Sequence, residues 1–392
     1  MSRKVAVVGA GQTKCGRRND VTYIELIHEA VKAAFEDANL SIKDVDVVVE
    51  GTMPAPMEGT NAPHLWHVEG AAAQNKPLIR VATCGSTGMS IAHCGYYLVA
   101  SGLYDIALVI GSEKMYEGVG LTSQAVMSTV ADATYERPFI GGAPPAFALQ
   151  CIRYIHERNF PLEKAAEWAA MVSVRNHEAA LDNPYAHIKM KITVDDVLKS
   201  RIISYPVRLL DVCPISDGAC AVIFASEEKA KKITDTPAWI KGVGYCGDDS
   251  MFVDKSLVEW QSCILAVRKA YWRAGIENPL KQIDVAELYN PFTYQELLYY
   301  ELFGFCGRGE AGKLVEEGII AKDGEIAVDP SGGVLCTNPI GASGLQRVAE
   351  SAHQIMGKAG KRQVSNVNVA IAHAMGGSIQ FNGIMILSRD KP

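Results

Sequence analysis

The sequence places one cysteine where a helix is predicted to begin, a position that favours thiol chemistry. Cys84 follows the apolar segment 78–82. Gly85 and Gly88 come after it and allow another backbone to approach closely. Unpaired backbone N–H groups and the positive end of the helix dipole stabilise a thiolate there, lower the thiol pKa, and can face an oxyanion on an attached acyl group. Cys84 is therefore a candidate nucleophile, and a buried structural cysteine is the alternative.

A second helix start carries an amide, and a strand end carries an imidazole. Asn338 precedes Pro339, which suits a first helical turn because its missing N–H costs little there. The amide can donate to an oxyanion, although asparagine is also a common helix N-cap. His373 ends a predicted buried strand just before Gly376 and Gly377, a place from which an imidazole can reach a site at helix starts. His373 is the candidate general base, and a structural histidine is the alternative.

The elements that must position these residues occur twice in the chain. Residues 30–40 match residues 266–276, and both segments have the pattern of an amphipathic helix. Each helix leads through a polar stretch to a strand that begins with Asp-Val, at Asp46 and at Asp284. The order of the elements is the same in both copies, which indicates an internal repeat.

The repeat continues through the candidate site residues. A predicted helix that opens at Cys84 feeds the strand 105–112, and a predicted helix that opens at Asn338 feeds the strand 368–377. Two similar α/β halves are therefore predicted, with mixed sheets covered by helices in layers. A pseudo-twofold relation between the halves brings the two helix starts towards one another.

An insertion separates the two halves and carries predicted helices over 161–180 and 194–199. A buried strand after Asp211 then returns to the first half. Long excursions over a rigid core are a common way to build a substrate-binding cap. The predicted organisation is an N-terminal half of residues 1–115 and 215–240, an inserted cap of residues 116–214, and a C-terminal half of residues 241–392.

The glycines of the first predicted strand raise the question of a dinucleotide site. Gly9 and Gly11 have the spacing of the first two glycines of GxGxxG, but Lys14 stands where the third is needed. The next helical pattern begins only near Thr22, so a pyrophosphate would find no helix N-terminus. A strand followed by a surface loop is the preferred interpretation.

Composition excludes several classes of function. The 392 residues are 48% hydrophobic and 21% charged, as in globular domains, and the net charge of −6 gives no basic field for nucleic acid or an anionic membrane. The ten cysteines form no CxxC pair and no ligand-like spacing to the nine histidines, so we expect free thiols in a cytoplasmic protein without bound metal. No segment approaches the ~18 apolar residues of a membrane span.

Four motifs together resemble the thiolase superfamily, and the resemblance spans nearly the whole chain. The motifs are Cys-Gly-Ser-Thr-Gly from Cys84, Ser-Asp-Gly-Ala-Cys-Ala from Ser216, Gly-Gly-Val-Leu-Cys-Thr-Asn-Pro-Ile-Gly-Ala-Ser-Gly from Gly332, and His-Ala-Met-Gly-Gly from His373. Segments 175–186 and 208–214 further resemble the sterol-carrier-protein-type thiolases and the related acetyl-CoA acetyltransferase-like proteins.

This resemblance implies an α/β thiolase fold of two similar halves in five layers, αβαβα, with the inserted cap domain. It also implies coenzyme A thioesters as substrates and an acyl-cysteine intermediate on Cys84. Coenzyme A is then a substrate rather than a bound cofactor, and no metal is expected in this chain. A homodimer or higher oligomer is implied, and divergent members of this type work with a small zinc-containing OB-fold partner.

The chain departs from the superfamily pattern at three motifs. The Gly-His-Pro motif, whose histidine activates the cysteine, reads Thr-Asn-Pro at 337–339, so that histidine is absent. The motif that reads Asn-Glu-Ala-Phe or His-Asp-Cys-Phe is Tyr-Asn-Pro-Phe at 289–292, and the C-terminal Cys-x-Gly is His-Ala-Met at 373–375. We therefore expect His373 to deprotonate Cys84 and later to protonate the carbanion of the departing acyl-CoA.

The comparison with the superfamily motifs also implies supporting roles for other residues. Asn338 and backbone N–H groups near Gly376 are expected to hold oxyanions. Tyr289 and Cys336 are weaker candidates for a proton donor or a substrate contact. The residues that contact coenzyme A are not assigned by the sequence.

The function predicted from these motifs is cleavage of a 3-ketoacyl-CoA by free CoA through an acyl-Cys84 intermediate. The altered motifs favour an acyl group larger or more branched than that of acetoacetyl-CoA, and the resemblance to divergent thiolases implies an aryl one such as that of benzoylsuccinyl-CoA. Two alternatives stay open. One is a retro-aldol lyase of a β-hydroxyacyl-CoA in which Tyr289 handles protons, and the other is a noncatalytic acyl-CoA-binding subunit.

Overall fold

The computed structural model describes residues 3–53, 57, 59–117, 123–251 and 254–392. The strands in these residues are β1 (Val5–Gln12), β2 (Val47–Gly51), β3 (Leu78–Arg80), β4 (Ile106–Lys114), β5 (Ile202–Ser204), β6 (Val207–Arg208), β7 (Asp217–Ser226), β8 (Ala238–Cys246), β9 (Val285–Glu287), β10 (Ala327–Val328), β11 (Val369–Gly376) and β12 (Phe381–Ser388). The α-helices are α1 (Tyr23–Ala38), α2 (His64–His67), α3 (Thr87–Ala100), α4 (Ser123–Ser128), α5 (Arg137–Ile140), α6 (Ala143–Glu157), α7 (Leu162–Leu181), α8 (Val194–Lys199), α9 (Glu227–Ile233), α10 (Gln261–Ala274), α11 (Pro279–Gln282), α12 (Thr293–Leu302), α13 (Ala311–Glu316) and α14 (Ile340–Met356).

The sheet confirms the predicted repeat. Its strand order is β10-β9-β11-β12-β8-β1-β7-β4-β2-β3, so each half contributes five strands in the same spatial order. In both halves the two outer pairings are parallel and the two inner ones antiparallel. The halves join where β1 pairs with β8 through Ala6 opposite Trp239 and Val7 opposite Ala238. The α/β fold class predicted from the sequence is therefore confirmed.

The repeated helices end in the same way. Helix α1 closes at Asn39 with φ 52°, and α10 closes at Gly275 with φ 68°, so both have a left-handed cap. Asparagine and glycine are the residues that tolerate this conformation best. The apolar face of each helix covers the outside of its own half, α1 on β1 and β7, and α10 on β8 and β12.

Helices α3 and α14 form the layer between the two halves. Helix α14 packs against β4, β7 and β11, and α3 packs against β4 and α14. The two helices meet at Gly88, where a Cβ would lie 2.2 Å from the Leu345 backbone nitrogen. Only glycine fits such a contact, so the sequence at this crossing fixes how closely the two helix starts approach.

The glycines of β1 serve packing between a strand and a helix. A Cβ at Gly9 would lie 2.7 Å from the Ala38 Cβ, and a Cβ at Gly11 would lie 2.3 Å from the Ala34 backbone nitrogen. Both contacts are shorter than real Cβ atoms tolerate. The Gly-x-Gly spacing is therefore explained by the close seating of α1 on β1.

The insertion contains helices α4 to α8 and the small β5–β6 hairpin. The predicted helices over 161–180 and 194–199 correspond to α7 and α8. Strand β7 then pairs with β1 and β4 of the first half. The proposed boundary between residues 240 and 241 cuts through β8, because that strand pairs along its length with β12 and belongs whole to the second half.

Three further features bear on function. All ten cysteines are free. Within the ranges given above, His, Cys, Asp and Glu side chains form no group of three that could hold a metal ion. Across those same ranges, every helix is either too short or too polar to traverse a lipid bilayer.

Candidate active site

Cys84 lies in a tight turn between β3 and α3, and its backbone is left-handed. Its φ is 57°, a region that costs an L-residue roughly 1–2 kcal/mol. The turn is held by the Ser86 N–H, which donates to the Thr83 carbonyl at 3.3 Å, and by the Thr87 N–H, which donates to the Cys84 carbonyl at 3.0 Å. Strained non-glycine residues of this kind cluster at functional sites.

The end of β11 is pressed against this turn. A Cβ at Gly85 would lie 2.6 Å from the Met375 carbonyl oxygen, and a Cβ at Gly376 would lie 2.3 Å from the Thr83 carbonyl oxygen. Neither position has room for a side chain, so both glycines are required by the close approach of the two backbones. This approach sets Gly377 beside the thiol.

The electrostatic environment of Cys84 is mixed. Burial raises the pKa of the thiol, because the side chain is only 8% exposed and the charged form loses its hydration. Backbone groups of Gly377 and Gly85, within hydrogen-bonding reach of the sulfur, lower the pKa, whereas the Glu113 carboxylate raises it. The net pKa lies above its ordinary value. The expectation that the helix start lowers it is therefore wrong for the free protein.

Cys84 opens into a cavity of about 80 Å³. Phe147 and Phe292 pack together in its wall, with ring centroids 4.9 Å apart and ring planes tilted by 37°. Most of the lining side chains are apolar, and besides the two phenylalanines they include Met115, Met127, Ala143, Pro144, Val212, Pro214, Ile215, Pro291, Ile340 and Met375. The cavity therefore suits an apolar group attached to a reacting carbonyl.

Asn338 lines the same cavity, as the repeat predicted. Its backbone N–H donates to the Ser216 hydroxyl at 3.1 Å, and its side-chain oxygen accepts from the Ser343 hydroxyl at 2.8 Å. Its side-chain N–H donates to the sulfur of Cys213 at 3.1 Å. The amide is thus fixed in orientation with its donor directed at a thiol.

His373 does not line the cavity. Nδ1 accepts the backbone N–H of Tyr289 at 3.3 Å, so the proton is on Nε2, which donates to the Asn382 side-chain oxygen at 3.0 Å. The ring is fully buried against Tyr299 and Phe303. Burial lowers its pKa to about 4. With both nitrogens occupied and the ring enclosed, the position of His373 does not support the expected role of general base.

The other candidates separate into two groups. Tyr289 and Gly376 line the cavity, and a Cβ built on Gly85 would lie 2.8 Å from the Tyr289 hydroxyl oxygen. Burial, with added contributions from Cys213 and Cys84, raises the pKa of Tyr289 well above its ordinary value, so the phenol keeps its proton. Cys336 is fully buried in a small apolar cluster and lies outside the cavity. Its position therefore does not support the expected contact with substrate.

Sequence reasoning missed Cys213. This half-buried residue lines the cavity with Cys84, and burial raises its pKa to about 12 although Asn338 lowers it. The signal was present, because Cys213 lies within segment 208–214, which carries part of the resemblance, three residues before the motif that begins at Ser216. The polar side chains that the described residues contribute to the cavity are two thiols, one phenol and one amide, and no imidazole is among them.

The chain matches two family models that together cover most of its length. Residues 5–228 match the thiolase N-terminal domain, and residues 247–389 match the thiolase C-terminal domain-like model. The two matches correspond to the two halves of the sheet. The residues between them, 229–246, include β8, the strand through which the halves join.

Two curated relatives match over nearly their whole length. The acetyl-CoA acetyltransferase of Methanothermobacter thermautotrophicus is 35% identical over 395 residues, covering 99% of this chain and 100% of that protein. The benzoylsuccinyl-CoA thiolase subunit BbsB of Thauera aromatica is 32% identical over 386 residues, covering 96% of each.

A solved structure shares the fold. The Ltp2-ChsH2(DUF35) aldolase superposes with a TM-score of 0.85 at 25% identity, covering 100% of this chain and 99% of that one. The sequence matches and the shared fold thus indicate the same family. The chain belongs to the thiolase family of acyltransferases.

Proposed function

We propose that this protein is a thiolase that cleaves a 3-ketoacyl-CoA with free CoA through an acyl intermediate on Cys84. The observation that carries this proposal is the strained Cys84 turn, which opens into an apolar cavity beside the Gly377 and Gly85 backbone groups. Backbone N–H groups at such a turn can receive the oxyanion formed when a sulfur adds to a carbonyl.

The first half of the reaction forms the acyl-enzyme. The Cys84 thiolate adds to the β-carbonyl, and the Cα–Cβ bond breaks with its electron pair left on the departing acyl-CoA. In the second half, CoA attacks the thioester on Cys84 and expels the cysteine sulfur. The fraction of Cys84 that is thiolate is small at neutral pH because burial raises its pKa, so the active form is a minority species.

An aryl or branched acyl group is the substrate class that we favour. Phe147 and Phe292 both line the cavity and can contact an aromatic ring, and aromatic pairs contribute about 0.5–1.5 kcal/mol beyond the area they bury. The similarity to a benzoylsuccinyl-CoA thiolase subunit supports the same class.

The test is intact-protein mass spectrometry after incubation with a panel of 3-ketoacyl-CoA esters that includes an aryl one. We expect an adduct on Cys84 whose mass identifies the acyl group and which free CoA discharges. The Cys84→Ala protein is the matched control and should carry no adduct. Full cleavage activity in Cys84→Ala would refute the proposal.

A second candidate is retro-aldol cleavage of a β-hydroxyacyl-CoA. The Tyr289 phenol lies beside the Cys84 turn and keeps its proton, and the solved structure with the TM-score of 0.85 is that of an aldolase. The two reactions differ in their need for a thiol acceptor. Product formation that does not require free CoA would favour the lyase, and tight CoA binding without any reaction would favour a noncatalytic subunit.

A partner subunit is part of the proposal. One relative is named as a subunit, and the solved aldolase is named by two components, Ltp2 and ChsH2(DUF35). We therefore include a small zinc-containing OB-fold partner and a homodimeric or larger assembly. Copurification from the native host, followed by mass determination and metal analysis of the complex, tests both.

A further inference from the structure

We propose that Cys213 is the second catalytic thiol of this site, the group that protonates the carbon released by Cα–Cβ cleavage. This inference rests on the proposed thiolysis at Cys84 and adds the proton-handling residue that the reaction needs. The described residues that line the cavity include no imidazole and no carboxylate, and the proton-carrying side chains among them are two thiols and the phenol.

The position of Cys213 is fixed from both sides. Its backbone N–H donates to the Pro291 carbonyl at 2.9 Å, and its sulfur accepts the Asn338 side-chain N–H at 3.1 Å. Asn338 is itself held by Ser343 and Ser216, so its N–H stays directed at the sulfur. A neutral amide that donates to sulfur stabilises the thiolate that forms once the proton has left.

The protonation state of Cys213 suits an acid. Burial raises its pKa to about 12, so the thiol carries its proton at neutral pH and can deliver it to a strongly basic carbanion. Cys84, Cys213 and Tyr289 all line the same cavity, so the thiol can reach a substrate attached to Cys84.

Both cysteines regain their starting protonation states after one turnover. Cys84 enters as thiolate and Cys213 as thiol. Cys84 sulfur bonds to the β-carbon, the Cα–Cβ bond breaks, and Cα takes the proton of Cys213, which becomes a thiolate held by Asn338. The Cys213 thiolate then removes the proton of the CoA thiol. CoA sulfur attacks the acyl-Cys84 carbonyl and displaces Cys84 as thiolate, so both cysteines return to their starting states.

The test compares two reactions in the full-length Cys213→Ser protein. The first is cleavage of the 3-ketoacyl-CoA that acylates the wild type. The second is exchange of the acyl group between the acyl-CoA product and isotopically labelled CoA, which breaks no carbon–carbon bond. Serine keeps the shape of the site but is a much weaker acid than a thiol, so cleavage should fall about 10²–10⁴-fold.

Acyl exchange should fall much less and should recover when the pH is raised from 7 to 9, because a free CoA thiol ionises near pH 8.5. A merely structural role of Cys213 would lower both reactions together. Cys246→Ser changes a half-buried cysteine outside the cavity and is the matched control, expected to leave both rates unchanged. If Cys213→Ser does not fold, Cys213→Ala is measured in the same way.

The outcomes separate this inference from the proposed function. Cleavage by Cys213→Ser within about threefold of wild type overturns the inference and leaves acyl transfer at Cys84 standing. Loss of cleavage in Tyr289→Phe, with cleavage retained in Cys213→Ser, assigns the proton to the phenol and also overturns it. Failure of the wild type to acylate Cys84 with any ester removes the proposed function itself.

Discussion

The Tyr289 backbone N–H donates to Nδ1 of His373 at 3.3 Å, and this hydrogen bond occupies one of the two ring nitrogens. Nδ1 must be unprotonated to accept it, so Nε2 carries the proton and donates to Asn382. The ring therefore ties the strand β11 to the segment that carries the cavity-lining Tyr289. These contacts are those of a structural residue, the alternative that the sequence left open.

Protonation of His373 should contribute to the loss of folding stability at acidic pH. The pKa of His373 is about 4 in the folded chain against about 6.5 in an unfolded one, so the unfolded chain binds the proton first. The stabilisation is fully present above pH 6.5 and is lost as the pH falls towards 4, about 2 kcal/mol between pH 7.5 and 5. His373→Gln should lose that part of the pH dependence in denaturant unfolding. An unchanged dependence would contradict the buried neutral state.

The same substitution tests catalysis. Because His373 lies outside the cavity, folded His373→Gln should acylate Cys84 within about threefold of wild type in a single-turnover measurement. A loss of about 10² or more, the size expected for a general base, would return the imidazole to the reaction. The unfolding midpoint of the same sample shows whether any loss reflects misfolding.

The rate at which Cys84 is alkylated should depend on pH as expected for a thiol whose pKa is raised. Burial and the Glu113 carboxylate raise the pKa, and the backbone groups of Gly377 and Gly85 only partly oppose them. The rate of modification by iodoacetamide, read on the Cys84 peptide, should rise about tenfold per pH unit from pH 6 to 9 without a plateau. A plateau with a midpoint near pH 6–7 would instead indicate an imidazole paired with the thiol.

Backbone strain at Cys84 should appear in stability measurements. Cys84 has a φ of 57°, which alanine tolerates no better and glycine tolerates freely. Cys84→Gly should therefore be more stable to unfolding than Cys84→Ala by roughly 0.5–1 kcal/mol, once the greater entropy of glycine in the unfolded chain is counted. Both proteins should lack the acyl adduct. Equal stability would mean that the turn is not strained.

Close contact between α3 and α14 should be intolerant of a single methyl group. Gly88→Ala would set a Cβ 2.2 Å from the Leu345 backbone nitrogen, and overpacking of this kind costs about 1–3 kcal/mol or more. Because this contact fixes the distance between the two helix starts, acylation should fall as well. Gly247→Ala is the matched control, since its Cβ would meet only Phe381 at 3.5 Å.

Much of the fold could be predicted from the sequence because its helices, strands and turns depend on local sequence patterns. The repeated amphipathic helices, the Asp-Val strands and the glycine-bounded helix starts each depend on near neighbours in the chain, and their repetition in one order implied two similar halves. Cys84 could be found in the same way, since its setting at the start of a helix is a local feature.

What the sequence could not decide depends on contacts between distant segments. The electrostatic surroundings of Cys84 are set by burial and by Glu113 and Gly377, and the direction of His373 is set by Tyr289 and Asn382. The sequence predicted that His373 ends its strand, but β11 continues to Gly376 and His373 lies inside it. A strand places successive side chains on opposite faces, so a residue inside a strand can face the cavity or the outer helices. Only the packing of the layers decides which of these two sides the side chain faces. That packing turned His373 outward and brought Cys213 beside Asn338.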